Sequence, residues 1–337
     1  MYKKILKATI AIILSSCMLF SGCNINNNEN NTDSSDTSVK ATAYTATDFP
    51  NLLDVKAIPT EKFYNGNFGI YTNFIDMGAW HGYFLPQETN EFGLGGFAGP
   101  TLLAKHEYET IAINLSDTIS KINLTKNGEV IDLMNSEKSL TYYPGRLYQQ
   151  YEVEGDFKLI LQLVYITDRT ALIEYEIVNT SDKSAEFELE FEGRIYRAYD
   201  SYGKRKAINP EINSTDDGIC VLFNGTNSDL EESTKYNKFT IRRDINLSTE
   251  ISEKKCNYKS KFNEKITLKP KSNYKVYETQ SYTFTQEEYE NEMTEIDSLM
   301  KEKENLFTKS NDRWQNYINS TFDKKDDVSN DYKYAAI

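Results

Sequence analysis

The segment from Ala185 to Glu192, Ala-Glu-Phe-Glu-Leu-Glu-Phe-Glu, alternates an apolar residue with a glutamate at every step. Successive side chains of a strand point to opposite faces, so the pattern puts Phe187, Leu189 and Phe191 on one face and the glutamates on the other. A helix has a period of 3.6 and would scatter both sets around its surface; only a half-buried strand sorts them. The same alternation runs through 157–166 (FKLILQLVYI) and 171–178 (ALIEYEIV). Further strand candidates lie at 111–115, 121–126, 218–223, 238–246, 261–268 and 274–284, with Asn127-Gly128 supplying a hairpin turn after the second of these. The 24 Tyr and 17 Phe against 7 Pro suit such strands. Short polar turns, without intervening helices, separate them. Residues 48–284 are therefore expected to form a mainly β domain, a large antiparallel β-sandwich.

The period changes at Thr285. Thr285 with Glu288 three residues on fits a capping box, and Tyr289, Met293, Ile296 and Met300 then recur at helical spacing. A helix is expected over 285–322, carrying Trp314, Tyr317 and Ile318 near its end, with the charged run 301–304 facing solvent. After a break at 323–329 the apolar pattern resumes in YKYAAI, so 323–337 reads as the start of a further helical unit that the sequence leaves incomplete.

At the other end Lys3, Lys4 and Lys7 precede an apolar run from Ala8 to Phe20, followed by Ser21-Gly22-Cys23. This order resembles a bacterial lipoprotein signal over 1–22, with Cys23 as the acylated first residue of the mature chain. An ordinary secretory signal or a short membrane helix are the competing readings; the run is shorter than the ~20 apolar residues of a span. Residues 23–47 are too polar to bury a core and read as a disordered tether. The mature protein is thus expected to be extracytoplasmic and lipid-anchored to the bacterial cell membrane. If Cys17 leaves with the signal and Cys23 is acylated, Cys220 and Cys256 remain as a candidate disulfide. The net charge is −13, about −16 once Lys3, Lys4 and Lys7 are removed, which would repel phosphate backbones and excludes nucleic acid as a partner.

Motifs that carry chemistry are few. There is no Cys-x-x-Cys, and His81 and His106 stand 25 residues apart, so neither a metal nor a cofactor is expected. Gly93 to Ala98 formally fits a Gly-x-Gly-x-x-Ala pattern, but Pro100 and the β surroundings supply no phosphate-binding helix. Asp76, Glu88, Glu91, Glu107 and Asp200 are available carboxylates, yet nothing in their spacing pairs two of them as glycoside hydrolysis requires. No Gly-x-Ser-x-Gly elbow accompanies the histidines. The run Asp76–Pro86 (DMGAWHGYFLP) concentrates one of the two Trp and one of the two His among Gly and Pro. A sugar platform, a catalytic histidine or a packed turn would each explain it.

This run, together with Gly95-Gly96-Phe97-Ala98-Gly99-Pro100, Leu102-Leu103 and the Arg313-Trp314 helix segment, resembles the N-terminal β-domain of bacterial glycoside hydrolase family 63. These are YgjK-type α-glucosidases related to mannosyl-oligosaccharide glucosidase, and the resemblance covers about 50–337. It implies an inverting exo-α-glucosidase built from a β-sandwich, a linker helix and an (α/α)6 barrel whose two carboxylates perform the catalysis. No family acid or base falls on any position here. The chain is accordingly expected to be the non-catalytic N-terminal portion of such an enzyme, inactive alone, meeting its α-glucoside through the full enzyme. Two alternatives stay open: a structural subunit for a separately encoded barrel, and a free-standing carbohydrate-binding lipoprotein. Within the resemblance, Trp80 and His81 take either a structural role or a contact with sugar or barrel at the domain junction.

Overall fold

The computed structural model describes residues 44–60, 72–106, 109–196, 208–225, 236–322 and 329–337; the expected signal, Cys23 and most of the expected tether lie outside them. Seventeen strands occur among the described residues: β1 (His81–Phe84), β2 (Ala98–His106), β3 (Glu109–Asn114), β4 (Lys121–Lys126), β5 (Glu129–Val130), β6 (Glu137–Tyr143), β7 (Arg146–Val153), β8 (Phe157–Tyr165), β9 (Thr170–Asn179), β10 (Ala185–Arg194), β11 (Ile208–Thr215), β12 (Gly218–Gly225), β13 (Lys238–Arg243), β14 (Leu247–Ile251), β15 (Asn257–Phe262), β16 (Ile266–Leu268) and β17 (Asn273–Thr283). They make three antiparallel sheets, an eight-stranded one in the order β11-β12-β13-β17-β9-β8-β7-β6, a six-stranded one in the order β14-β15-β10-β4-β5 with β16 also on β10, and a three-stranded β1-β2-β3.

The alternation in β10 is realised as the sequence demands. Phe187, Leu189 and Phe191 are buried, and opposite them in register stand Lys126, Leu124 and Ile122 of β4. The outward glutamates meet a row of lysines, Glu190 and Glu192 paired with Lys259, Glu188 with Lys261, and Glu186 with Lys265. These are exposed pairs worth little individually, but they keep the outer face of the sheet soluble. The inner faces of the large and six-stranded sheets close on one core containing Leu159, Leu161 and Leu163 of β8, Ile173, Tyr175 and Ile177 of β9, and the β10 aromatics. Each such side chain contributes roughly 1.5–3 kcal/mol relative to exposure. A second cluster fills the other end, built on Ile212, Ile219, Val221, Phe239, Ile241 and Tyr282. Asn127 (φ 51°) and Gly128 (φ 88°) form the β4–β5 hairpin turn, both in the left-handed region such a two-residue loop requires.

One charged pair is sealed inside. Arg243 Nε donates to Glu278 Oε2 at 2.6 Å, and both side chains are fully buried. Arg243 Nη2 donates to Ser120 Oγ and to the Tyr258 hydroxyl at 3.0 Å each, while Gln280 Nε2 donates to Glu278 Oε1 at 2.6 Å. Tyr83 of β1 extends the chain by donating to Gln280 Oε1 at 2.7 Å. Burial alone would weaken the Arg243 charge, but the Glu278 carboxylate and the Tyr258 and Tyr175 hydroxyls together outweigh it and raise the guanidinium above its ordinary pKa. The pair thereby ties β13 and β17 of the large sheet to the loop before β4, across the layers.

The expected helix is present over 286–321, with one tighter turn inside it. α1 (Gln286–Leu299) and α2 (Lys303–Thr321) are joined by a 3-10 turn at Met300–Glu302. Thr285 Oγ1 accepts from the Glu288 amide at 3.1 Å, as a cap should, but the Glu288 carboxylate reaches past Thr285 to the Phe284 amide at 2.8 Å. Leu306 and Phe307 of α2 cover Val164, Leu172 and Tyr277 on the outer face of the large sheet. That cover is why Leu172 and Tyr277 are buried although they point away from the sandwich interior. A short α3 (Asn330–Ala336) follows, capped by Ser329, whose Oγ accepts from the Tyr332 amide at 3.2 Å.

Replacing Arg243 by Met strands the Glu278 carboxylate without its counter-charge. Urea unfolding should then show a loss of about 3–5 kcal/mol, partly recovered in the Arg243→Met/Glu278→Gln double variant.

Candidate functional site

The residues Asp76 to Gly78 turn sharply, with Met77 at φ 56° and Gly78 at φ 74°. The turn is closed by the Ala79 amide donating to the Asp76 carbonyl at 3.1 Å and by the Met77 amide donating to Asp76 Oδ1 at 2.7 Å. It aims the Asp76 carboxylate at α2. Arg313 Nη1 donates to Oδ1 at 3.0 Å, Arg313 Nη2 pairs with Oδ2, and Trp314 Nε1 donates to Oδ2 at 2.9 Å. A bidentate guanidinium plus an indole N–H saturates a carboxylate that is only 9% exposed. On the facing side the β6–β7 turn supplies Gly145 at φ 81°, where a Cβ would come within 2.0 Å of Trp314 Cδ1. Only glycine lets that turn and the indole approach so closely. Tyr142 lies beside them, its hydroxyl pushed up to about 12 by burial and then by the Asp76 charge. At the rim Tyr317 meets Trp314 edge to face at 5.5 Å and donates to the Ala336 carbonyl at 2.9 Å.

Beyond the turn the chain enters β1, and the two residues that sequence singles out diverge. His81 is fully buried in an aromatic cage of Tyr165 (5.3 Å between ring centroids), Tyr83 (5.5 Å), Phe239 (6.0 Å) and Tyr282 (6.5 Å). Neither ring nitrogen has a hydrogen-bond partner of normal geometry among the described residues. Burial pushes its pKa down from 6.5 to about 3; the Gln280 backbone opposes this weakly, and the Arg169 charge adds to it. No atom of this ring meets solvent. Trp80 is half-buried and stands edge-on to Phe284 at 5.1 Å.

The remaining candidates are dispersed. Cys220 and Cys256 are unbonded thiols. Cys220 alternates with inward-facing Ile219 and Val221 and so lies on the outer face of the large sheet, hydrogen-bonded by Thr240, whereas Cys256 packs on the inner cluster. Glu88 is paired with Lys56 at 2.9 Å and Glu91 is exposed. The side chain of His106, and Glu107 and Asp200 altogether, lie outside the described residues.

A cleft of about 470 Å³ opens elsewhere, on the outer face of the six-stranded sheet. Two of its three carboxylates are engaged, and the third, Glu250, is exposed on β14. Asp117 receives Arg194 Nε at 2.9 and 3.1 Å, and Glu192 lies between Lys121 (3.3 Å) and Lys259 (3.5 Å). Although burial pulls Glu192 upward, hydrogen bonds from Asn123 and Lys121 and the lysine charges hold it below its ordinary value. A general acid needs the opposite, a proton retained near neutrality. Glu292 is held above the ordinary range by burial, against hydrogen bonds from Thr167 and Thr170, but it is sealed between α1 and the large sheet. Nothing in the sequence marks this cleft, because its walls come from five separate segments.

The family described as Glucosidase YgjK, N-terminal, matches residues 60–315. Among solved structures, one described as a kojibiose phosphorylase from the human microbiome is similar at 12% identity and a TM-score of 0.47, covering 72% of this chain and 35% of that one. A polysaccharide lyase gives 11% identity and a TM-score of 0.38 over 60% of this chain and 32% of its own. A GalM/aldose epimerase homologue from C. elegans gives 9% and 0.38, over 62% and 97%. The chain thus spans about a third of the length of the first two.

His81 generates a pH dependence. Below pH 6.5 the unfolded chain takes up a proton at this histidine, while the folded chain refuses it until about pH 3. Stability therefore falls as pH falls through that window. His81→Phe should abolish about 2 kcal/mol of the loss between pH 7 and pH 5, read from urea midpoints.

Proposed function

The chain belongs to the glucosidase YgjK N-terminal family, and from that premise we propose that it is the non-catalytic β-domain of an extracytoplasmic α-glucosidase. Its role is to carry and orient the helix pair, with hydrolysis of α-linked glucosides performed by an (α/α)6 barrel, in the same or a separate polypeptide. The observation that carries this reading is the state of the partly or wholly buried carboxylates of the cleft, the Asp76 turn and the α1 seam, which leaves the cleft with the single exposed Glu250 and no partner carboxylate for it. Asp117 and Glu192 in the cleft are neutralised by cations, Asp76 is consumed in holding Arg313 and Trp314, and Glu292 is sealed under α1. An inverting hydrolysis needs a protonated acid and a water-activating base flanking one bond, about 6.5–9.5 Å apart, and none of these groups is available for either task.

The location follows from the N-terminal sequence. The basic, apolar and small-residue order before Cys23 supports acylation of that thiol and retention at the outer side of the cell membrane. No helix among the described residues is long and apolar enough to cross a membrane. The Asp76 clasp supports the orienting role. It fixes the part of α2 that carries the exposed aromatic Tyr317.

Expression of the full chain in a bacterial host tests both halves of the proposal. The protein should fractionate with the cell membrane, and Cys23→Ser should release it to the soluble fraction. The membrane-bound chain alone should hydrolyse no α-linked glucose disaccharide; clear turnover would sink the non-catalytic assignment.

A further inference from the structure

Phe92 is 63% exposed. A single exposed aromatic needs no explanation on most surfaces. This one stands at the mouth of the 470 Å³ cleft, and two cations are directed at its ring, Arg194 at 5.6 Å and Lys121 at 5.9 Å from the centroid. Cation–π contacts of this kind hold a ring in place while leaving most of it open to a ligand.

Below the ring the polar groups of the walls are held by hydrogen bonds. Asp117, 5% exposed, accepts from the Thr118 amide at 2.8 Å besides its two bonds from Arg194 Nε. At the floor the Tyr258 hydroxyl donates to the Ile119 carbonyl at 3.0 Å and accepts from Arg243, so the base of the cleft is tied to the buried Arg243–Glu278 pair. Gly193 permits this packing, since a Cβ there would lie 1.8 Å from the Ile119 oxygen. The volume falls within the roughly 300–1,000 Å³ of small-molecule sites.

Charge decides which ligand fits. The lining holds three carboxylates, Asp117, Glu192 and Glu250, against three cations, Lys121, Arg194 and Lys259, so its formal charge is zero. A phosphate or sulfate would have to break the ion pairs that already satisfy the cations. A neutral polyhydroxyl ligand would not, because its hydroxyls can donate to the carboxylates and accept from the guanidinium and ammonium groups simultaneously. An apolar face to set against Phe92 completes the requirement. We propose that this cleft is a non-catalytic binding subsite for a neutral oligosaccharide, with Phe92 as its stacking platform and the Asp117–Arg194 and Glu192–Lys121 pairs as its hydroxyl readers. It lies on the outer face of the six-stranded sheet, whereas α2 covers the outer face of the other sheet, so helix and ligand are held on opposite sides of the sandwich.

The recognition chemistry stands on the cleft alone; the choice of α-linked glucose oligosaccharides as first probes rests on the function proposed above. Titration calorimetry of the full chain in detergent should give saturable binding of maltooligosaccharides. Phe92→Ala should weaken it at least about tenfold with an unchanged unfolding midpoint, and Phe92→Trp should preserve it. Inorganic phosphate in excess should not compete. If only β-linked glucans or mannooligosaccharides bind, with the same Phe92 dependence, the subsite stands and the α-glucoside reading fails. Absence of binding across all these neutral probes, binding indifferent to Phe92→Ala, or displacement by phosphate would each overturn the subsite.

Discussion

The Asp76 carboxylate is the point at which the sandwich takes hold of its helix. A nearly buried carboxylate is tolerable only when its lone pairs are met, and here two adjacent helix residues meet them, Arg313 with a fork and Trp314 with its indole N–H. The turn that presents the carboxylate uses left-handed backbone at Met77 and Gly78, and the turn that receives the indole uses Gly145. Three local conformations thus converge on one ion. Further along, Leu306 and Phe307 supply apolar adhesion to the sheet. Such contacts bind without direction, whereas the bidentate pair fixes where along the sheet the helix sits.

The interior is organised by a second ion pair with a different consequence. Arg243 and Glu278 lie wholly between the layers, and their partners are Ser120 and Tyr258 from two other places in the chain and Gln280 two residues along β17. A buried pair of this kind adds little net stability over an apolar core, but removing one member is severe, so it specifies one arrangement of the layers. Tyr258 carries that arrangement to the floor of the Phe92 cleft. The result is a body with a helix fixed on one face and a preformed concave site on the other.

Much of this was legible in the sequence, unevenly. Strands with one wet and one dry face declared themselves by alternation, and β8, β9 and β10 fall where the pattern puts them. β6 and β7 carry no clean alternation, because Ser, Thr, Tyr and Gln are interleaved with their few charged residues and Gln149 sits on the inner face. β1 hid inside a Gly- and Pro-containing run that also reads as a turn. The 261–268 candidate divides into β15 and β16 because both pair with β10 on either side of a bend. The helix falls where its period puts it, but its 3-10 turn at Met300–Glu302 is marked by no Pro or Gly. The contacts at the site are long in sequence: Asp76 and Arg313 are 237 residues apart, and periodicity carries no information at that range. The Asp76 run and the Arg313-Trp314 segment each stood out separately, but only folding joins them. His81 attracted attention for its chemistry and proves to be a wholly buried member of an aromatic cluster.

Asp76 thus holds α2 on the sandwich. Amide hydrogen exchange resolved along the chain tests it most directly, comparing the wild type with Asp76→Asn. Exchange over 303–321 should speed up by about tenfold or more, as expected for loss of a charge-assisted bond worth about 1.5–3 kcal/mol, while β8 and β9 stay as slow as before. Unchanged protection of 303–321, or a uniform acceleration of helix and sheet together, would contradict it.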